Sequence, residues 1–197
     1  MPRRGRTAVV CGGGIAGFAA AASLLRAGWG VTVLEQAPEF GEIGAGLAIT
    51  ANGLAALDAI DAGAAVRDAG LPVRMVGTRN HRGRWLVRTP DGPTTMTVGI
   101  HRRRLHAILR GAADGADLVA GATVTGTGTD GVRWRDHGGE HESTADLVVG
   151  ADGLRSAVRA EVEPACRPAY SGKTCWRAVV DVAGEPGFAP LWGPGSE

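Results

Sequence analysis

Short apolar runs alternate along this chain with glycine turns and with stretches of helical spacing. Ala8-Val9-Val10-Cys11 predicts a strand, and Gly12-Gly13-Gly14 ends it. A helix follows over Gly17–Arg26, closed by Gly28-Trp29-Gly30, and Val31-Thr32-Val33-Leu34 predicts the next strand. The unit from Thr7 to about Gln36 thus reads strand, helix, strand. A Gly-rich loop, Gly41–Leu47, leads to a predicted helix over Asn52–Asp68. Leu54, Ala56, Leu57 and Ile60 form its apolar face, and Asn52 suits its N-cap.

The period then shortens. Val73 to Val76, Trp85-Leu86-Val87 and Thr95-Met96-Thr97-Val98 predict three short strands, separated by His81-Arg82-Gly83 and Pro90-Asp91-Gly92-Pro93. This pattern reads as an antiparallel meander inserted in an α/β frame. A helix from His101 to about Ala113 carries Leu105, Ile108 and Leu109 on one face. Strands at Asp117–Ala120, Thr123–Thr125 and Val132–Trp134 follow, then a buried-type strand at Ala145–Gly150. A second turn, Ala151-Asp152-Gly153, opens a helix from Leu154 to about Val162, and Cys175–Val182 predicts a last strand.

Gly12, Gly14 and Gly17 form Gly-x-Gly-x-x-Gly between a strand and a helix, the arrangement of a phosphate-binding dinucleotide turn. Gly12 permits the tight turn, Gly14 lets backbone approach a pyrophosphate, and Gly17 lets helix pack on strand. The helix N-terminus favours an anion. Glu35 closes the second strand 18 residues after Gly17, near the place of an acid that accepts hydrogen bonds from a ribose.

Composition narrows the classes. The 197 residues are 44% hydrophobic and carry a net charge of +1, which argues against general nucleic-acid binding. The apolar run behind Arg3-Arg4-Gly5-Arg6 is too short for a secretory signal, and no stretch suits a membrane span, so the chain is expected in the cytoplasm. Cys11, Cys166 and Cys175 form no CxxC pair; Cys11 reads as a small buried hydrophobe and the others as reduced thiols. His137 and His141 are separated by Gly138-Gly139, so no metal site is expected there. Trp85, Trp134, Trp176 and Trp192 are expected to pack in the core or a pocket.

Three segments together resemble class A, single-component FAD-dependent monooxygenases, the aromatic hydroxylase group. Asp152, Gly153, Ser156 and Arg159 match every fixed position of that family's D-G-x-x-S-x-x-R signature. Ile100-His101-Arg102-Arg103-Arg104-Leu105 resembles its H-R-x-x-L segment, in which the position of Arg102 contacts the flavin dinucleotide. Glu42-Ile43-Gly44-Ala45-Gly46-Leu47 is similar to the stretch that runs past the flavin. Three arginines at a helix N-terminus oppose the helix dipole, and an anion nearby would offset that cost. Arg103 and Arg104 by themselves read as solvated surface.

The resemblance implies a Rossmann-like FAD/NAD(P)-binding α/β fold with an inserted mixed β-sheet substrate region. It implies FAD contacts at Gly12, Gly14, Ile15, Ala16 and Gly17, at Glu35, Gln36 and Gly46, and at Arg102, Val124, Asp152 and Gly153. Some members carry a base where this chain has Ala48, so no catalytic residue is assigned, and the family's Pro-Asn pair is here Ala51-Asn52. NAD(P)H is the implied electron donor and a small aromatic molecule the implied substrate. The implied domains are 1–70 and 99–165 for FAD, and 71–98 and 166–197 for substrate.

Family members continue past the point where this chain stops, so an N-terminal portion is expected, either a truncated gene product or one piece of a split protein, with a complementing C-terminal chain or a second copy of this chain as the candidate partner. The same residues also suit a non-catalytic nucleotide-binding fragment, a partner subunit, or a related flavin oxidoreductase such as a prenyl reductase or halogenase.

Overall fold

A computed structural model describes residues 5–41, 44–89, 97–180, 187–188 and 190–193. Glu42 and Ile43, the turn at 90–93, residues 95 and 96 of the expected third strand, and residues 181 and 182 of the expected last one lie outside this set.

The elements run β1 (Thr7–Cys11), α1 (Ile15–Arg26), β2 (Gly30–Glu35), β3 (Gly46–Ile49), α2 (Ala51–Asp58), α3 (Gly63–Ala69), β4 (Leu71–Pro72), β5 (Arg74–Met75), β6 (Gly77–Asn80) and β7 (Trp85–Arg88). There follow β8 (Val98–His101), α4 (Arg102–Ala112), β9 (Asp117–Ala120), β10 (Thr123–Gly128), β11 (Gly131–Asp136), β12 (Gly139–Thr144), β13 (Leu147–Gly150), α5 (Ala157–Val162), β14 (Gly187–Phe188) and β15 (Leu191–Trp192).

A parallel sheet in the order β13-β1-β2-β9 positions the site. Successive side chains of β1 enter different cores. Val10 packs with Phe18, Val33, Leu105 and Leu109 beneath α1 and α4, whereas Val9 and Cys11 pack with Leu34, Ala122, Val132 and Val158. The antiparallel sheet β10-β11-β12 and α5 supply this second layer. Both faces of the sheet are therefore covered, as parallel sheets require.

Three expectations change. The predicted helix over Asn52–Asp68 is two helices, α2 and α3, because Asp61 turns the chain with a φ of 57°. Arg67 then closes back on Asp58 with two bonds of 2.6 Å. These bonds hold the Asp58 carboxyl below its ordinary range. The residue preceding α2 is Thr50 and not Asn52, whose Oδ1 accepts from the Thr50 hydroxyl at 2.5 Å.

Val98 does not extend the meander. It starts β8, which pairs antiparallel with β3 and β4 and buries Val98 and Ile100 in the main core. Burial of both side chains selects that partner over the β6–β7 hairpin. β5 likewise pairs in parallel with β14 rather than within a meander, and β6 takes β15 on its other side.

The tail differs as well. Residues 175–180 form no strand and are exposed. Trp176 and Trp192 are 92% and 63% exposed, so neither packs as expected, because no described element covers them. Trp85 is half-buried under the Arg79 guanidinium, and Trp134 donates to the Ser143 hydroxyl while stacking on His141. His141 bonds Asp136 at 2.8 Å, and among the described residues no cluster of metal-ligating groups occurs. Among the described residues no helix is long and apolar enough to cross a membrane.

Cys11 is fully buried, and burial, then the charge of Asp152, pushes its thiol up to about 12. Cys166 and Cys175 are exposed and free. A thiol reagent is therefore expected to label two cysteines of the native chain at once and the third only on unfolding. The unfolded chain ionises Cys11 near its ordinary 9.0 while the folded chain keeps the proton to about 12. Stability measured by denaturation should accordingly fall as pH rises above 9.0. Immediate labelling of all three native thiols would contradict this packing.

Candidate functional site

The end of β1 is a contact of backbone on backbone. Gly12 has a φ of +108°, and a Cβ there would lie 2.3 Å from the Ala151 carbonyl oxygen. A Cβ on Gly17 would lie 1.8 Å from the Gly12 carbonyl oxygen. Only glycine at both positions lets α1 settle against β1, and β1 against the turn after β13. The Gly12 N–H donates to Leu34 O at 2.7 Å and the Ala151 N–H to Cys11 O at 2.8 Å, so the two predicted turns are joined.

Side chains fix the amides around this contact. Glu35, half-buried at the end of β2, accepts from Gly13 N–H at 2.7 Å through Oε2 and from Ala37 N–H at 2.8 Å through Oε1. Each carboxylate oxygen keeps capacity for a further donor. Across the turn, Asp152 Oδ2 accepts from Ala157 N–H at 2.7 Å and Val158 N–H at 3.2 Å, closing the start of α5. Its Oδ1 is buried with no hydrogen-bond partner among the described residues. A buried acceptor of that kind is costly unless a ligand or water donates to it.

Ser156 and Arg159 have structural work. Ser156 Oγ caps α5 by accepting from Arg159 N–H at 2.9 Å, and the Arg159 guanidinium donates to Leu154 O at 2.5 Å. Gly153, with a φ of +76°, completes the turn.

A cleft of about 500 Å³ opens between these turns. Gly12, Gly14, Ile15 and Ala16 form one wall, Glu35 and Gln36 another, and Val124, Asp152 and Gly153 a third, with Arg102 beside them. No side chain caps α1 and its first turn holds no acid, so its N-terminus would favour an anion. Arg102 and the exposed Arg155 add positive charge.

Two expected residues fall elsewhere. Gly17 lies beneath the turn, against Gly12, and does not line the cleft. Gly46 lines an adjoining hollow with Ala45 and Leu47, which Arg102 also borders. The Arg102 N–H donates to Ala45 O at 3.1 Å, so one residue links the two spaces.

Sequence reasoning missed Arg155, which occupies a free position of the D-G-x-x-S-x-x-R pattern, and His106. A single histidine on the apolar face of α4, between Leu105 and Leu109, was the available signal for the latter. A larger hollow of about 940 Å³ lies outside α4, beside Phe40, Arg103 and Arg110. None of the expected site residues lines it, so the smaller cleft is the candidate site. Arg104, expected as plain surface, donates to Ala69 O at 3.2 Å.

A family model described as FAD binding domain matches residues 6–194. The chain is 37% identical over 203 residues to aurachin C monooxygenase/isomerase of Stigmatella aurantiaca, covering 98% of this chain and 53% of that protein. It is 33% identical to 2-heptyl-3-hydroxy-4(1H)-quinolone synthase of Pseudomonas aeruginosa, covering 96% of this chain and 51% of that one. Among solved structures, the tetrameric form of 2-methyl-3-hydroxypyridine-5-carboxylic acid oxygenase superposes with a TM-score of 0.68 at 28% identity. That match covers 81% of this chain and 43% of the other. The chain spans about half the length of the curated relatives it matches.

The glycine contact carries its own test. Gly17→Ala is expected to cost about 3 kcal/mol of folding stability, the upper end for overpacking, because a backbone oxygen and not a mobile side chain obstructs it. Chemical denaturation measures this, and an unchanged midpoint would contradict the close approach.

Proposed function

Since the chain belongs to the FAD-binding domain family of class A FAD-dependent monooxygenases, we propose that its cleft receives the ADP half of FAD. The enzyme built on it would hydroxylate an aromatic or similarly activated small molecule with NAD(P)H and O2. One observation carries this reading: residues from five separated stretches of sequence, each expected at a dinucleotide, line a single cleft.

The donors and acceptors suit the group. Amides at Gly14, Ile15 and Ala16, at the start of α1, suit a pyrophosphate, and Arg102 supplies a cation beside it. Glu35 keeps acceptor capacity for ribose hydroxyls, and Gln36 borders the same wall. Backbone at Val124 suits adenine. The unpartnered Oδ1 of Asp152 suits a hydroxyl donor of the ligand, with Gly153 leaving room beside it. Gly46 and the hollow it lines suit the portion of FAD beyond the pyrophosphate, since Arg102 borders both spaces.

Bound FAD supplies the redox chemistry, taking electrons from NAD(P)H and passing them to O2. This chain's share is to bind, orient and shield it. Ala48 offers no acid or base, so proton transfer at the substrate falls to residues elsewhere. The names of two relatives, a quinolone synthase and a hydroxypyridine-carboxylic acid oxygenase, favour an aromatic ring as substrate. Residues 1–70 and 99–165 then form the FAD-binding part, joined by β4 and Val98 through β8, and the rest of 71–98 with 166–197 the substrate part. The pairing of β5 with β14 and of β6 with β15 supports that grouping.

Titration of the purified chain with FAD tests the reading. Saturable uptake with flavin absorbance near one equivalent is expected, and Arg102→Ala should weaken it about tenfold, the worth of one charge-assisted contact. A chain that stays colourless in excess FAD overturns the proposal.

A further inference from the structure

The glycines that permit the close approach leave the turn itself poorly specified. A Gly-Gly peptide can rotate at little cost, and only one of its two faces suits an anion. Two side chains supply the missing specification for Gly13. Glu35 Oε2 takes its N–H at 2.7 Å. On the other side, His106 of α4, 93 residues away in sequence, lies 2.8 Å from the Gly13 carbonyl oxygen through Nε2. A carbonyl can only accept, so Nε2 carries the hydrogen and donates.

His106 is 3% exposed and sits edge-on to Phe18 with ring centroids 5.1 Å apart. Its ring is carried by α4 and packs against Phe18 of α1. Because the Gly13–Gly14 peptide is trans and planar, fixing the Gly13 carbonyl toward His106 sends the Gly14 N–H the opposite way. Gly14 is a wall of the cleft, and among the described residues nothing accepts from its N–H. Were the peptide to flip, a carbonyl oxygen would face an anionic ligand in place of a donor.

We propose that His106 is a positioning residue: its Nε2–H holds the Gly13 carbonyl inward and thereby presents the Gly14 amide to the pyrophosphate of a bound dinucleotide. This rests on the dinucleotide reading of the cleft. The effect should therefore follow the phosphates of the ligand and not its adenine.

Calorimetric titration of the chain with ADP and with adenosine separates the two. His106→Met fills the space without a donor, and His106→Gln places an amide nitrogen near the position of Nε2. Relative to wild type, His106→Met is expected to bind ADP about tenfold more weakly with adenosine affinity within about twofold, and His106→Gln to recover most of the loss. Should His106→Met fail to fold, His106→Asn, polar but too short to reach Gly13, takes its place with the same expectation. Wild-type ADP affinity in the donorless variant, or an equal loss for ADP and adenosine, overturns the inference alone. A wild-type chain that takes up neither ADP nor FAD overturns the dinucleotide reading and this inference with it.

Discussion

The candidate cleft depends on backbone meeting backbone at the end of β1. The Gly12 carbonyl occupies the place a Gly17 side chain would need, and Ala151 occupies the place a Gly12 side chain would need. That contact brings together two turns separated by some 140 residues of sequence, and the cleft between them is the consequence. The sheet order β13-β1-β2 makes this possible, since it sets the strand ends that carry both turns side by side.

A wall made of glycine backbone has donors but little rigidity, and the surrounding polar groups compensate. Glu35 spans the amides of Gly13 and Ala37, His106 holds the Gly13 carbonyl, and Asp152 ties the amides that begin α5. The two carboxylates are therefore structural before any ligand arrives. Their negative charge also counts against an anion, which makes the cation at Arg102 and the uncapped start of α1 necessary counterparts. Of the arginines that burden the N-terminus of α4, Arg102 borders the cleft, where such an anion would relieve it.

Much of this was legible in the sequence because it rests on local chemistry. Strand-glycine-helix at Ala8–Arg26, the acid at Glu35 and the Asp152-Gly153 turn each announce themselves within a few residues, and the structure brings them to one cleft. What stayed hidden depends on distant partners. The break at Asp61 is a left-handed residue inside a continuous helical pattern; Asp61 pairs with Arg26 of α1, and Arg67 closes back on Asp58. The pairing of β8 with β3 and β4 is decided by burial of Val98 and Ile100 in a core built from other segments. His106 reads as one polar residue on an apolar helix face until Gly13 is placed against it. Trp176 is exposed although its residue type favours burial, because no described element covers it.

The central claim is that the smaller, glycine-walled cleft and not the larger hollow outside α4 receives the nucleotide. A crystal structure of the chain grown with ADP measures this directly. The account expects the pyrophosphate against the amides at the start of α1, with the ribose at Glu35. Nucleotide density in the hollow beside Phe40, Arg103 and Arg110, with the glycine cleft occupied only by water, would contradict it.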